Sequence, residues 1–76
     1  MKLDPVQLDR LLWLLGKHLV DGIDAGEEAE MRSLVAVWYP EDARRLDLRQ
    51  LTNLGLGITA AEKLGPLIRE ALEAEA

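Results

Sequence analysis

The sequence predicts an all-α fold, a compact domain of four or five helices over residues 1–76 with no β-sheet. Three observations predict it. A helix-start signature occurs four times along the chain. Apolar residues recur at three- and four-residue spacing over long stretches. No alternating run exceeds three or four residues and Phe is absent, so no segment reads as a strand.

The signature is the capping box, a short polar residue followed three positions later by Glu or Gln. The first N–H groups of a helix have no intrahelical acceptor, and this pair of side chains satisfies donors at that end. The pairs are Asp4 with Gln7, Asp24 with Glu27, Asp47 with Gln50, and Thr59 with Glu62, each where a new apolar period begins.

The first helix is predicted from Pro5 to about Asp21. Pro5 occupies the first helical position, where a missing N–H costs nothing. Leu3 and Leu8 have the spacing of a hydrophobic staple. Gly22 supplies a left-handed stop. At about 100° per residue, Leu8, Leu11, Leu12, Leu15 and Leu19 form a wide apolar face. Val6, Trp13 and Val20 recur every seven residues as a second stripe. Leu14 falls among the polar residues Gln7, Arg10, Lys17, His18 and Asp21. The helix is thus apolar around more of its circumference than a surface helix needs.

The second helix is predicted from Ala25 to about Tyr39, with Met31, Leu34, Val35 and Trp38 on one face. Glu27, Glu28 and Glu30 complement the dipole of its first turns. Pro40 ends it, because a residue before proline avoids helical geometry. A short third helix is predicted over Glu41–Leu46 and a fourth over Leu48–Leu54, with Gly55-Leu56-Gly57 as a tight link. The last helix is predicted from after Thr59 to about Glu73, with Ala61, Leu64, Gly65, Ile68 and Leu72 on one face. Pro66 either kinks it or opens a second piece. Gly65 on the apolar face suggests the close approach of another backbone. The expected core is Leu8, Leu11, Leu12, Leu15, Leu19, Met31, Leu34, Val35, Trp38, Leu51, Leu54, Leu64, Ile68 and Leu72.

Composition narrows the function classes. Seventy-six residues make one domain, and a chain this short buries only about 60% of its unfolded surface. Disulfide support is excluded, because there is no cysteine. A zinc site lacks ligands, since His18 is the sole imidazole. No metal or other cofactor is expected. The 49% hydrophobic content supports well-packed helices or a partner that completes the core. The net charge of -5, from 14 acids and 9 bases, argues against direct nucleic-acid binding and against anionic membranes. Lys2, Asp4 and Asp9 after Met1 are unlike a signal peptide, and no apolar run, Leu11 to Leu15 included, is long enough for a membrane span. A cytoplasmic protein is expected, in line with the lack of cysteine.

Several motifs invite sharper readings. Gly55-Leu56-Gly57-Ile58-Thr59-Ala60 matches the glycine pattern of a dinucleotide fingerprint, but no strand precedes it, and a helix-to-helix link explains it. Asp21, Asp24, Glu27, Glu28 and Glu30 gather carboxylates, but a calcium loop centred on Gly26 would place Ile23, Ala25 and Arg32 at ligand positions. His18 has Ser33 as the sole serine in the chain and no oriented base, so no catalytic residue is assigned and neither enzyme activity nor a small-molecule substrate is expected. His18 instead suits the dipole at the end of the first helix. Arg44, Arg45 and Arg49 form the one basic cluster, either a solvated face balancing Glu41, Asp42 and Asp47 or a dock for an acidic partner. Trp38 is expected in the core, and Trp13 in the core or at an interface.

The stretch Leu11–Asp42 resembles helical segments of some phage tail and structural proteins. The matching residues are Asp24-Ala25, Glu28-Ala29 and Leu34-Val35-Ala36-Val37-Trp38-Tyr39-Pro40-Glu41. The resemblance covers less than half the chain, and those proteins usually continue into a small β module, whereas more helices follow here. It implies virion assembly and transfers no catalytic residue.

The expected function is protein–protein contact by an assembly or adaptor protein, virion-associated if the resemblance holds. It would self-associate or dock through the first helix, using Val6, Trp13, Leu14 and Val20. The alternative is an acidic inhibitor whose carboxylates imitate a nucleic-acid backbone and block a basic groove.

Overall fold

The computed structural model describes residues 3–75, which form α1 (Pro5–Val20), α2 (Ala25–Val35), α3 (Pro40–Arg45) and α4 (Leu48–Glu75). The fold is all-α with four helices, and no strand occurs among the described residues.

Three of the four capping boxes close. Gln7 N–H donates to Asp4 at 2.8 Å and Asp4 N–H donates to the Gln7 side chain at 3.1 Å. Asp24 and Glu27 repeat this at 2.8 and 3.1 Å, and Asp47 and Gln50 at 2.9 and 3.3 Å. Leu3 and Leu8 both reach the core, as a staple requires. Gly22 adopts φ +89°, the left-handed stop after α1.

The fourth pair does not cap. The two helices expected over 48–54 and 60–73 are one continuous α4, with Gly55-Leu56-Gly57 and Thr59 inside it. The Thr59 hydroxyl donates back to the Gly55 carbonyl at 2.9 Å, as Thr52 does to Leu48 at 2.7 Å. This is how a threonine satisfies its hydroxyl in mid-helix. Gly55 serves packing rather than a turn. A Cβ there would lie 3.0 Å from Leu15 Cδ2 and 3.6 Å from Leu11 Cδ1, so α1 lies directly on the α4 backbone. That contact offsets the roughly 1 kcal/mol that glycine costs inside a helix. The helix also passes through Pro66 without dividing, although proline leaves the Glu62 carbonyl without its intrahelical donor.

Helix α2 stops at Val35 rather than near Tyr39. Tight turns follow, with Val37 N–H to Leu34 O at 3.3 Å and Trp38 N–H to Val35 O at 3.0 Å. Tyr39 leaves the helical region (φ -133°, ψ 73°) because Pro40 follows, and Pro40 opens α3. Arg32 ties α2 to α3. Its Nη1 donates to the carbonyls of Ala43 at 2.9 Å and Leu46 at 2.8 Å, and its Nη2 donates to Glu28 at 3.1 Å. Carbonyls at the end of a helix lack intrahelical donors, and the guanidinium supplies them.

The fully buried side chains are Leu11, Leu14 and Leu15 of α1, Met31 and Val35 of α2, and Leu51 and Ile58 of α4. Trp38 and Leu54, expected in the core, are half-buried against it, as is Leu8. Leu12 and Leu19 are exposed, contrary to expectation. Helix α1 packs against both α2 and α4. Its buried meridian therefore runs through Leu11, with Leu14 and Leu15 on either side, and not through Leu12.

Helices α1 and α4 run antiparallel. Leu3 N–H donates to the Glu62 side chain at 2.9 Å, and Leu15 meets Gly55 further along. At about 1.5 Å per residue, α4 rises about 42 Å against about 24 Å for α1. The far end of α4 consequently overhangs, and the molecule measures 47 × 27 × 21 Å. Leu64, Ile68 and Leu72, also expected in the core, lie exposed on this overhang.

Candidate protein-contact surface

Three of the four expected contact residues lie together on the side of α1 turned away from its core. Val6 is 78% exposed, Trp13 49% and Val20 82%. A seven-residue repeat returns to nearly the same side of a helix, so the three form one stripe. Leu14 does not belong with them. It is 0% exposed and packs in the centre of the core, where α1 faces both neighbours.

Trp13 is held from both sides. The Arg10 guanidinium lies 4.4 Å from the ring centroid, and Lys17 Nζ lies 5.6 Å from it. These residues stand three before and four after Trp13, the spacing that places side chains on one helical face. Both cations are anchored in turn by α2. Arg10 makes a two-pronged pair with Glu30, its Nη2 donating at 2.9 Å. Lys17 Nζ donates to both carboxylate oxygens of Glu27 at 2.7 Å.

The electrostatics follow from these contacts. The Lys17 ammonium, then the Asp24 N–H, hold the Glu27 carboxyl below the usual glutamate range. The Arg10 guanidinium does the same for Glu30, and Glu30 raises the Arg10 pKa in return. Beside the indole, Gly16 leaves open space, and Trp13, Gly16, Lys17, Val20 and Asp21 line a shallow depression of about 430 Å³.

The arrangement presents an oriented aromatic ring within a charged frame. Among the described residues no group of three or more His, Cys, Asp or Glu side chains is placed to hold a metal. No helix among the described residues is long and apolar enough to cross a membrane.

The other singled-out residues are separate from this stripe. Arg44 and Arg45 reach Glu41 and Asp42 of their own helix at 3.9 Å, and Arg49 is exposed. His18 is half-buried in the last turn of α1. Trp38 and Glu62 line a groove of about 530 Å³ with Gly65, Pro66, Arg69, Glu70 and Glu73. Trp38 Nε1 and Glu62 Oε2 are buried there without hydrogen-bond partners among the described residues.

No family model, curated protein or solved structure matches this chain. The functional case therefore stands on the geometry. The clamp on Trp13 escaped the sequence reading. Its signal was present in the spacing of Arg10 and Lys17 about Trp13, but the anchoring carboxylates come from another helix.

Proposed function

We propose that the protein acts by protein–protein contact, as a small non-enzymatic assembly or adaptor component, with the outer face of α1 as a docking surface. One observation carries this: Trp13, Val6 and Val20 stand exposed together on the side of α1 away from its core. Tryptophan is enriched among residues that dominate binding energy. Soluble monomers seldom leave contiguous apolar patches in water. The cations beside Trp13 hold the ring in place, and an ordered anchor loses less entropy on docking than a mobile one.

The acidic-mimic alternative draws less support. Glu27, Glu28 and Glu30 are paired with Lys17, Arg32 and Arg10, so three of the five carboxylates in the densest acidic segment are neutralised within the domain.

The test is site-specific photo-crosslinking in the native host. A photoreactive residue at Val20 should give one discrete protein adduct, and the same residue at Arg49 should not. Equal, diffuse labelling at both positions would remove α1 as the docking face.

A further inference from the structure

The overhanging half of α4 carries two unlike sides. Leu64 follows Gly55 by nine residues, which at about 100° per residue places it on the opposite side of the helix. Leu64, Leu67, Ile68 and Leu72 lie exposed on that outer face. Glu62, Pro66, Arg69 and Glu73 follow Gly55 by 7, 11, 14 and 18 residues, so they continue the inner face on which Gly55 meets α1. There they border the groove of about 530 Å³ that Trp38 also lines. Solvation accounts for charges on a face that α1 no longer covers. It does not account for two buried polar atoms of the lining. Trp38 Nε1 and Glu62 Oε2 have no hydrogen-bond partner among the described residues. Buried donors and acceptors in folded proteins are nearly always paired.

The cations that could serve Glu62 are engaged or distant. Lys63, its neighbour in sequence, reaches Asp9 at 3.2 Å. Arg69 stands seven residues on, about 10 Å along the helix. The other carboxylate oxygen, Oε1, accepts the Leu3 N–H at 2.9 Å, which holds the group at the groove. Pro66 leaves the Glu62 carbonyl without its intrahelical donor, so one residue offers two unspent acceptors. Glu70 and Glu73 line the groove as well and belong to none of the ion pairs among the described residues. Three carboxylates stand against one guanidinium, so the lining carries a net charge of -2.

We propose that this groove binds a basic side chain, the ammonium of a lysine or the guanidinium of an arginine, presented by a protein partner. It is a second contact surface, separate from the stripe on α1. Both cations carry several donors and no acceptor, which suits a negative lining with unspent acceptors. An indole also attracts a cation over its face. The Trp38 Nε1–H is left to donate to a backbone carbonyl, which a peptide brings with its side chain and a free polyamine lacks. Gly65 has nothing within 4 Å of an added Cβ, so the bound segment has room against the α4 backbone. Both orphaned atoms are shielded in the structure, and binding therefore includes a small turn of the Trp38 ring and the Glu62 carboxyl toward the ligand.

The experiment is a titration of the full chain, followed at the indole N–H resonances by nitrogen-15 NMR, with Trp13→Phe to assign the Trp38 signal. The probes are the blocked tripeptide Gly-Lys-Gly, its arginine and norleucine counterparts, and spermidine. The Trp38 signal should shift saturably with the two basic peptides and not with the norleucine peptide. Glu62→Gln keeps an acceptor for the Leu3 N–H but loses the charge. It should weaken the basic peptides about tenfold, the scale of one charge-assisted hydrogen bond. Glu75→Gln removes the same charge outside the lining and should bind as wild type does. Trp38→Phe keeps a ring and loses the N–H; read at the Gly65 amide, it should weaken the peptides more than spermidine. An equal response to the norleucine peptide, or equal effects of Glu62→Gln and Glu75→Gln, overturns the proposal. Spermidine binding more tightly than either basic peptide overturns the peptide source in favour of a free polyamine. No arm involves the α1 stripe, so failure here leaves the crosslinking test at Val20 unaffected, and the reverse.

Discussion

Leu15 Cδ2 lies 3.0 Å from where a Cβ would stand on Gly55, so α1 meets α4 there as side chain against bare backbone. Gly55→Ala forces a fully buried leucine to move, and overpacking of this kind costs about 1–3 kcal/mol. The gain in helix propensity returns about 1 kcal/mol. Gly57, two residues on in the same helix, faces open space. Urea unfolding should show Gly55→Ala less stable than wild type by about 1 kcal/mol and Gly57→Ala more stable by about 0.5–1 kcal/mol. Equal stabilisation by both would mean that α1 does not rest on α4 at Gly55.

A second prediction concerns the orientation of α1. Leu14→Ala should cost about 2–5 kcal/mol, the range for a buried leucine truncated in a core. Leu12→Ala, at a more exposed position, should cost less than about 1 kcal/mol. Thermal or urea unfolding of the two variants decides the rotation of α1, because the reversed ranking would move its buried meridian to Leu12.

Arg32 offers a third. Its bonds to the Ala43 and Leu46 carbonyls are charge-assisted and part-buried. Hydrogen bonds to a charged group contribute about 1.5–3 kcal/mol. Arg32→Met keeps the aliphatic stem but removes the donors, and should destabilise the domain by about that amount. Hydrogen exchange should quicken first at α3, whose end the guanidinium holds. Unchanged exchange in α3 would show that the capping is redundant.

Acidification should loosen α1 from α2. Glu27 and Glu30 have folded pKa values below their ordinary value, the first through Lys17 and the second through Arg10. A carboxylate whose folded pKa is depressed contributes stability above its unfolded pKa, about 4.3, and loses it as pH falls through the folded value. The melting temperature of wild type should therefore drop between about pH 5 and about pH 3, and more steeply than in the double variant Glu27→Gln, Glu30→Gln. Tryptophan emission should shift over the same interval, as Arg10 and Lys17 lose the carboxylates that hold them over Trp13. Identical pH profiles for the two proteins would assign the acid sensitivity to other carboxylates.

Much of the helical framework was legible because caps are local. Asp4, Asp24 and Asp47 each needed only the residue three positions on to mark a start. Thr59 and Glu62 matched the same pattern and misled, since threonine in mid-helix can bond back to a carbonyl one turn earlier. The glycines at 55 and 57 misled in the same way. A glycine required by a turn and one required by an approaching helix look alike until the approaching helix is known. Leu14 was misplaced because the buried face of α1 was expected to centre on Leu8, Leu11, Leu12, Leu15 and Leu19, whereas two neighbouring helices bury the arc from Leu14 through Leu11 to Leu15. Val6, Trp13 and Val20 were found by periodicity alone, because an exposed stripe needs no knowledge of the packing around it. The face of Leu64, Ile68 and Leu72 was equally readable as a face. Which side of α4 the domain would occupy depends on Leu3 and Leu15, far away in sequence.

Because α4 is one continuous helix, the number of residues between Ile58 and Leu64 sets an angle as well as a length. One residue inserted there would turn the outer face by about 100° and advance it by about 1.5 Å relative to the inner one. Seven would nearly restore the phase. The heading at which anything gripping the overhang sits relative to the exposed stripe on α1 is thus written into the spacing of one helix, much as two keys cut on one shaft keep a fixed rotation. Change in this segment should be tolerated as substitution far more readily than as insertion or deletion.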